Sequence, residues 1–299
     1  VALSGKENTM AEPLPVAYLN GEFLSLRDVR ISPLDRGFLF ADGVYEVIPV
    51  FGGRPFRFGP HFARLARSLE ALRMRDPLTA DGWRALCRGL IEKNGGGDQY
   101  LYIQVTRGAE YGRNHAPLPD IERTVFAYAA PLPRPSPAQL AQGAACITAA
   151  DIRWARCDIK SVALLPNILL RQLSIDAGAS ETILLRDGWL MEASASTVHV
   201  VVGGEVLTPP NSNRILPGTT RSVVEELLLE LGVPHRTTPV AEATLRAADE
   251  IWLAAATREI TSVTRLDGQP VGSGAPGPLW QRTYRAFQDL IKRLAGTPW

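Results

Sequence analysis

Lysine is nearly missing from this sequence. Only four of its 32 basic residues are lysines (Lys6, Lys93, Lys160 and Lys292) and the rest are arginines, so each lysine can be judged by its setting. Lys6 lies in a polar leader, Lys93 precedes the turn Asn94-Gly95-Gly96-Gly97, and Lys292 belongs to a charged C-terminal segment. These three read as solvated amines. Lys160 is followed by the small and apolar run Val162 to Leu165, which predicts an ammonium at the edge of a low-dielectric interior. Burial there favours the free, nucleophilic amine. The competing reading is a lysine that snorkels to water or pairs with Asp158.

Other scarcities exclude whole classes. The cysteines are three, an odd number, at positions 87, 146 and 157 with no C-x-x-C pair, which argues against a disulfide framework and structural zinc and points to a reducing cytoplasm. Four histidines (His61, His115, His199, His235) show no metal-ligand spacing, so no metal is expected. A formal net charge of +1, with charges scattered, suggests neither a nucleic-acid partner nor a membrane surface. No apolar run approaches the roughly 18 to 20 residues of a membrane span, and no internal repeat is present. Residues 1–9 are polar without a signal-peptide core, and Met10 reads as a native start. Those nine are expected to be an expression remnant or a disordered leader.

What is present is a chain of 299 residues, 45% hydrophobic, enough for one large or two ordinary domains. Four prolines between Pro131 and Pro137 make a stiff connector. The expected division is a small N-terminal α/β domain over 10–131, a linker over 132–138 and a larger domain over 139–299. In the first, Asn20-Gly21 predicts a hairpin, a turn over 41–43 feeds a strand ending at Gly52, and apolar positions 62, 65, 69 and 72 predict a helix with Arg64 beside its buried stripe. A second helix is expected from Asp81 to Asn94, capped by Thr79 or Asp81, then strands at 100–106 and 124–130. In the second half, strands are expected near 144–149, 181–185, 189–192, 197–202 and 251–253. Helices are expected at 167–177, after Arg221, and from Pro278 to Ala295.

Several local features carry chemistry, each ambiguous alone. Tyr45 begins a strand. Arg107 to His115 is a loop with three basic side chains, merely solvated in most proteins but suited to an anionic substrate. Glu192 opens the small-residue turn Ala193-Ser194-Ala195-Ser196-Thr197, which lets backbone approach a ligand. Leu216-Pro217-Gly218-Thr219-Thr220 precedes a helix and offers N–H groups and hydroxyls to an anion. Ala254 to Thr261 reads as another small-residue turn. A desolvated lysine, a carboxylate, an anion cradle and a helix arginine together suit pyridoxal phosphate, which needs an amine, a partner for its ring nitrogen and donors for its phosphate.

The segments R-G-F-L-F-A-D-G-V-Y-E-V at 36–47, H-F-A-R-L at 61–65, D-I-K-S at 158–161, L-L-P-N at 164–167, E-A-S-A-S-T at 192–197 and L-P-G-T-T-R at 216–221 resemble, in order, those of fold type IV pyridoxal-phosphate enzymes. The resemblance covers nearly the whole chain after Met10. It implies an α+β, two-domain fold with a smaller α/β N-terminal domain, a larger β-rich C-terminal domain, pyridoxal 5′-phosphate between them, and a homodimer. By the same resemblance Lys160 is the Schiff-base lysine and proton carrier, and Glu192 bonds the pyridine nitrogen. Arg64, Thr219 and Thr220 hold the phosphate, and Leu216 packs on the ring. The usual E-G-S-S-S-N is altered at Ala193, Ala195 and Thr197. Ala254-Ala255-Ala256-Thr257 stands where members often carry a Ser/Thr pair, which leaves Ala256 a backbone contact at most.

Within that family, Arg113-Asn114-His115 together with Tyr45 resembles the α-carboxylate trap of D-amino-acid aminotransferases, whose Arg and His reach across from the neighbouring subunit. The resemblance implies a ping-pong exchange of an amino group between a D-amino acid and a 2-keto acid. Branched-chain L-amino-acid aminotransferases, R-selective amine transaminases and aminodeoxychorismate lyases are the alternatives. Outside the class stands a non-enzymatic, arginine-rich α/β binding protein.

Overall fold

The computed structural model describes residues 12–295; the leader expected over 1–9 lies outside them. The first half opens with the hairpin β1 (Val16–Leu19) and β2 (Glu22–Ser25), in which Asn20 and Gly21 both take positive φ. A one-turn helix α1 (Arg36–Phe40) then leads into β3 (Gly43–Phe51) and β4 (Arg54–Pro55). Helices α2 (Phe58–Ala71) and α3 (Ala80–Lys93) follow, then β5 (Gln99–Thr106) and β6 (Thr124–Pro131). The six strands form one antiparallel sheet in the order β2-β1-β6-β5-β3-β4. Strand alternation sends Val44, Ile48, Leu101, Ile103, Val105, Val125 and Ala127 to one face, where Leu65 and Leu69 of α2 and Leu86 and Leu90 of α3 close a core.

After α4 (Pro137–Gln142), capped by a reciprocal Ser136–Gln139 box, come β7 (Ala144–Ala150), α5 (Leu165–Asp176), β8 (Glu181–Arg186), β9 (Trp189–Ala193), β10 (Thr197–Val202) and β11 (Glu205–Thr208). Then follow α6 (Thr219–Glu230), β12 (His235–Thr237), α7 (Glu242–Arg246), β13 (Glu250–Ala255), β14 (Glu259–Leu266), β15 (Gln269–Pro270) and α8 (Pro278–Ala295). Eight strands run in the order β12-β11-β10-β13-β14-β7-β8-β9, with β15 beside β14. Pairing is mixed, parallel at β11-β12, β14-β7 and β7-β8. Phe51 and Phe56 of the first half pack with Trp252, Val224, Leu228 and Phe287 of the second in a shared core, so the two sheets are locked together by apolar contact. The mixed α+β architecture is therefore the one expected.

Three local expectations change. The turn before β3 includes α1, a helix too short to show a period; Asp35 caps it by accepting from the Gly37 N–H at 2.7 Å. The turn placed over 254–261 shrinks, because β13 runs to Ala255 and β14 resumes at Glu259, which pair across it. The run Val162 to Leu165 is not interior: Ala163 is exposed and Leu165 is 67% exposed. It leads into α5, whose residues Leu165, Ile168, Leu169 and Leu173 present an uncovered apolar face.

Leu101 sits at the centre of the first sheet with no exposed surface, whereas Leu229 on α6 is 83% exposed. Leu101→Ala is expected to cost about 2–5 kcal/mol of unfolding free energy, and Leu229→Ala less than about 0.5 kcal/mol. Urea denaturation of the pair checks this, and equal midpoint shifts would contradict the packing described.

Candidate active site

Lys160 is held by backbone. Its carbonyl accepts from the Tyr45 N–H at 2.9 Å, and the Val162 N–H donates to the Gly43 carbonyl at 3.0 Å, so residues 160–162 lie as a short antiparallel bridge along the start of β3. Gly43 has to be glycine: a Cβ there would stand 2.8 Å from the Val105 carbonyl oxygen. The Lys160 N–H donates to Ser68 Oγ of α2 at 3.2 Å. Nζ stands 4.1 Å from the centroid of the Tyr45 ring, a cation–π distance. Asp158 is engaged by Arg156, at 2.9 Å through both Nε and Nη2. No carboxylate pairs with Lys160 among the described residues. The amine faces a cavity of about 480 Å³ lined from both halves of the chain.

At one end of that cavity lies an anion cradle. Arg64, 4% exposed, aims two donors at Glu46, Nε to Oε1 at 2.7 Å and Nη2 to Oε2 at 2.8 Å, and a third, Nη1, at the Pro217 carbonyl at 2.8 Å. A guanidinium has five N–H groups, so two remain for a ligand. Burial alone would raise the Glu46 carboxyl, but Arg64 and the adjacent His61 ring (2.7 Å) overcome it and hold the group at about 2. His61 itself is pushed below its ordinary value by burial. Opposite, α6 begins at Gly218 without any side-chain cap, so the N–H groups of Thr219 and Thr220 are left open at the positive end of a helix. Gly218 keeps that end open and tight, since a Cβ would meet Thr197 Oγ1 at 2.7 Å.

The other end carries Glu192, buried at the close of β9. Oε1 accepts from Arg153 Nη1 and from the Leu216 N–H at 3.1 Å. Oε2 has no hydrogen-bond partner among the described residues. Burial pushes the carboxyl above its ordinary value, opposed by Arg153. Arg153 is clamped by Asp151 at 2.9 and 3.0 Å. An amine between a carboxylate with a spare oxygen and an uncapped helix start backed by arginine is a donor set that fits an aromatic cofactor bearing a phosphate.

The structure thus brings Lys160, Tyr45, Arg64, Glu192, Leu216, Thr219, Thr220 and Ala256 around one cavity. Arg113 and His115 are not there. They sit on the exposed loop after β5, with the Arg113 guanidinium 5.3 Å and the His115 ring 5.5 Å from the ring of Phe40. Arg36 staples the loop by donating to the carbonyls of Asn114 and His115 at 2.7 and 2.9 Å and pairing with Glu110. The third basic residue, Arg107, is engaged by Asp42 at 2.7 and 3.0 Å. Sequence reading gave no role to Glu46, His61, Arg153 or Asp151. For Glu46 a signal existed, a charge on the core-facing side of β3 between Val44 and Ile48.

An amine-bearing cavity between two sheets, with these donors, is the arrangement of a cofactor-dependent group-transfer enzyme. A family model, amino-transferase class IV, matches residues 43–266, and the chain belongs to that family, whose members use pyridoxal 5′-phosphate to exchange amino groups between amino and keto acids. It is similar to the D-alanine aminotransferase of Bacillus licheniformis, 37% identical over 272 residues, covering 91% of this chain and 95% of that one. The D-alanine aminotransferase of Staphylococcus aureus (strain MSSA476) is 35% identical over 276 residues, 92% and 97% of the two chains. In fold it matches the branched-chain amino acid aminotransferase of Escherichia coli with a TM-score of 0.85 at 25% identity, over 93% and 94% of the chains. It also matches the T.th. branched-chain amino acid aminotransferase solved with pyridoxamine 5′-phosphate, TM-score 0.86 at 24% identity over 93% and 94%. Among the described residues no cluster suits a metal ion and no helix is long and apolar enough to cross a membrane.

Because the folded value of Glu46 lies below its ordinary 4.5, its stabilisation is complete above about pH 4.5 and is lost as the pH falls toward 2, on the order of 3 kcal/mol in all. Glu46→Gln strands Arg64 and is expected to cost about 3–5 kcal/mol at pH 7. That gap to wild type should narrow by about 2 kcal/mol at pH 3. Urea midpoints at the two pH values measure it; a gap that does not change with pH would refute the ion-pair account.

Proposed function

We propose that the chain is a D-amino-acid transaminase acting as a homodimer. The observation that carries the substrate reading is the pairing of Arg113 and His115 against one ring, both exposed and neither engaged by a carboxylate among the described residues. Two such side chains are suited to an external carboxylate. Because they do not line the cavity of their own chain, they serve a site only across a subunit boundary. The uncovered apolar face of α5, whose Ile168 also lines the cavity, is the kind of surface a second copy covers. The whole-length similarity to proteins named D-alanine aminotransferase supports the same reading. Three buried free thiols accord with a cytoplasmic setting.

In this reading Arg64, Thr219 and Thr220 bind the phosphate, Leu216 packs on the ring and Ala256 offers backbone only. Glu192, with Oε2 unpaired, would hold the ring nitrogen. Bound pyridoxal 5′-phosphate supplies the electron sink that lets a proton leave the α-carbon. Lys160 provides the amine that holds the cofactor and then carries that proton from one face. Tyr45 lies beneath Lys160 and donates toward the carboxylate held by Arg113 and His115. Fixing the carboxylate on one side fixes which α-hydrogen meets Lys160, so the trap selects the enantiomer.

Lys160→Ala is expected to fold but to lose the bound-cofactor absorbance and all transamination, whereas Glu192→Gln keeps the cofactor and slows proton abstraction. Turnover by the first variant, or an unchanged kcat in the second, would remove those roles. For substrate choice, stopped-flow half-reactions with D-alanine, L-leucine and an R-amine decide. Arg113→Ala should raise KM for D-alanine by roughly 10- to 150-fold, the loss of a charge-assisted bond, and leave the R-amine little changed. L-Leucine as the best donor would favour the branched-chain reading, and equal losses for both substrates would make the loop structural.

A further inference from the structure

A second carboxylate lies deeper than Glu192 and has no place in the chemistry above. Glu181, the first residue of β8, has no exposed surface. It receives the Ser194 hydroxyl on Oε1, together with the Thr182 N–H at 3.0 Å, and the Ser196 hydroxyl on Oε2 at 3.4 Å. Arg258, in the turn between β13 and β14, donates to Oε2 and to the Ser180 carbonyl at 3.4 and 3.3 Å. Ser194 and Ser196 belong to the turn that follows Glu192. That turn is closed by the Ala193 N–H donating to the Ser196 carbonyl at 2.7 Å, and it is tied to α5 by Asn167 Nδ2 on the Ser194 carbonyl at 2.8 Å.

We propose that Glu181 is a positioning residue for the cofactor cavity, fastening the 193–197 turn and the 255–258 turn to one buried point. Both turns line the cavity, the first built of small side chains throughout and the second of Ala255, Ala256 and Thr257 ahead of Arg258. A serine hydroxyl has one proton. With their protons given to Glu181, the hydroxyls of Ser194 and Ser196 have none left for the cavity, and Thr197 keeps the one hydroxyl of that turn not engaged in this way. Ala195 and Ala256 have no hydroxyl at all, so at those two positions only backbone is offered, while Ser194 and Ser196 serve as anchors. A gap in the anchor releases the wall on which the cofactor rests, and leaves a buried charge or hydroxyl without its partner.

The inference rests on this cavity being the cofactor site, so the test carries Lys160→Ala as a control. Glu181→Gln, Ser194→Ala and the double variant are compared with wild type for cofactor dissociation constant by equilibrium dialysis, kcat and KM at saturating cofactor, and melting temperature of the cofactor-free chain. Each single variant is expected to weaken cofactor retention about 10-fold or more, and the double variant to be no worse than Glu181→Gln alone, since the Ser194 link is among those that Glu181→Gln already breaks. Conservative Ser194→Thr should recover at least half of that loss. Additive losses in the double variant would overturn the proposal. So would a lowered melting temperature with the dissociation constant within twofold of wild type. If Lys160→Ala retains cofactor as wild type does, the reading of the cavity fails; if Lys160→Ala loses it while Glu181→Gln does not, only the role of Glu181 fails.

Discussion

The ion pair between Glu46 and Arg64 is the constraint on which the rest of the site depends. Glu46 is on β3, Arg64 on α2, and the remaining arm of Arg64 reaches the Pro217 carbonyl two residues before α6. One guanidinium therefore ties a strand and a helix of the first half to the turn that opens the anion cradle in the second. Burial makes the arrangement all-or-none. A carboxylate with no exposed surface is tolerable only with both oxygens engaged, and here two Arg64 donors and the His61 ring engage them. The same pairing that keeps Glu46 ionised fixes the plane of the guanidinium, and so the direction of its two free N–H groups.

The backbone of Lys160 depends on the same strand. Residues 160–162 pair with Gly43 to Tyr45, so the amine from the second half is registered against the strand that carries Glu46 and Tyr45. A one-residue slip of that bridge would turn Tyr45 away from Nζ and break the link to Ser68. This explains why a residue without a helix or strand of its own can be placed accurately: its neighbours borrow the edge of a sheet already built.

Much of this was legible beforehand because it is written in periodic or local chemistry. The apolar spacing 62, 65, 69 located α2, the Thr79/Asp81 pair of cap candidates bracketed the start of α3, which the structure caps with Thr79, and the order of short motifs located the amine, the carboxylate and the helix start. What escaped has a common cause. α1 and α7 are five residues each and β12 is three, shorter than any period can reveal. The partners of buried charges are remote: Arg153 and Glu192 are separated by 38 intervening residues, and nothing in either segment names the other. The apolar flank of Lys160 misled for a different reason. Apolar residues over 162–175 signal burial, but within one chain only Leu170 of the apolar residues of α5 is buried against the sheet, and the face of Leu165, Ile168, Leu169 and Leu173 has nothing to cover it.

Two buried glutamates near one cavity end with opposite shifts, and the difference is in the count of partners. Glu46 has donors on both oxygens and is driven down to about 2; Glu192 has donors only on Oε1, and burial keeps it raised despite Arg153. The first is a finished interaction that can only be structural. The second is unfinished, with an acceptor facing the cavity and a desolvation cost still unmet. A positively charged N–H brought to Oε2 removes that cost, whereas a neutral ring nitrogen without a proton does not. Under the proposed assignment of Glu192, leaving one oxygen unpaired selects the protonated form of the cofactor's ring, and Arg153, clamped by Asp151, holds the carboxylate at the cavity wall.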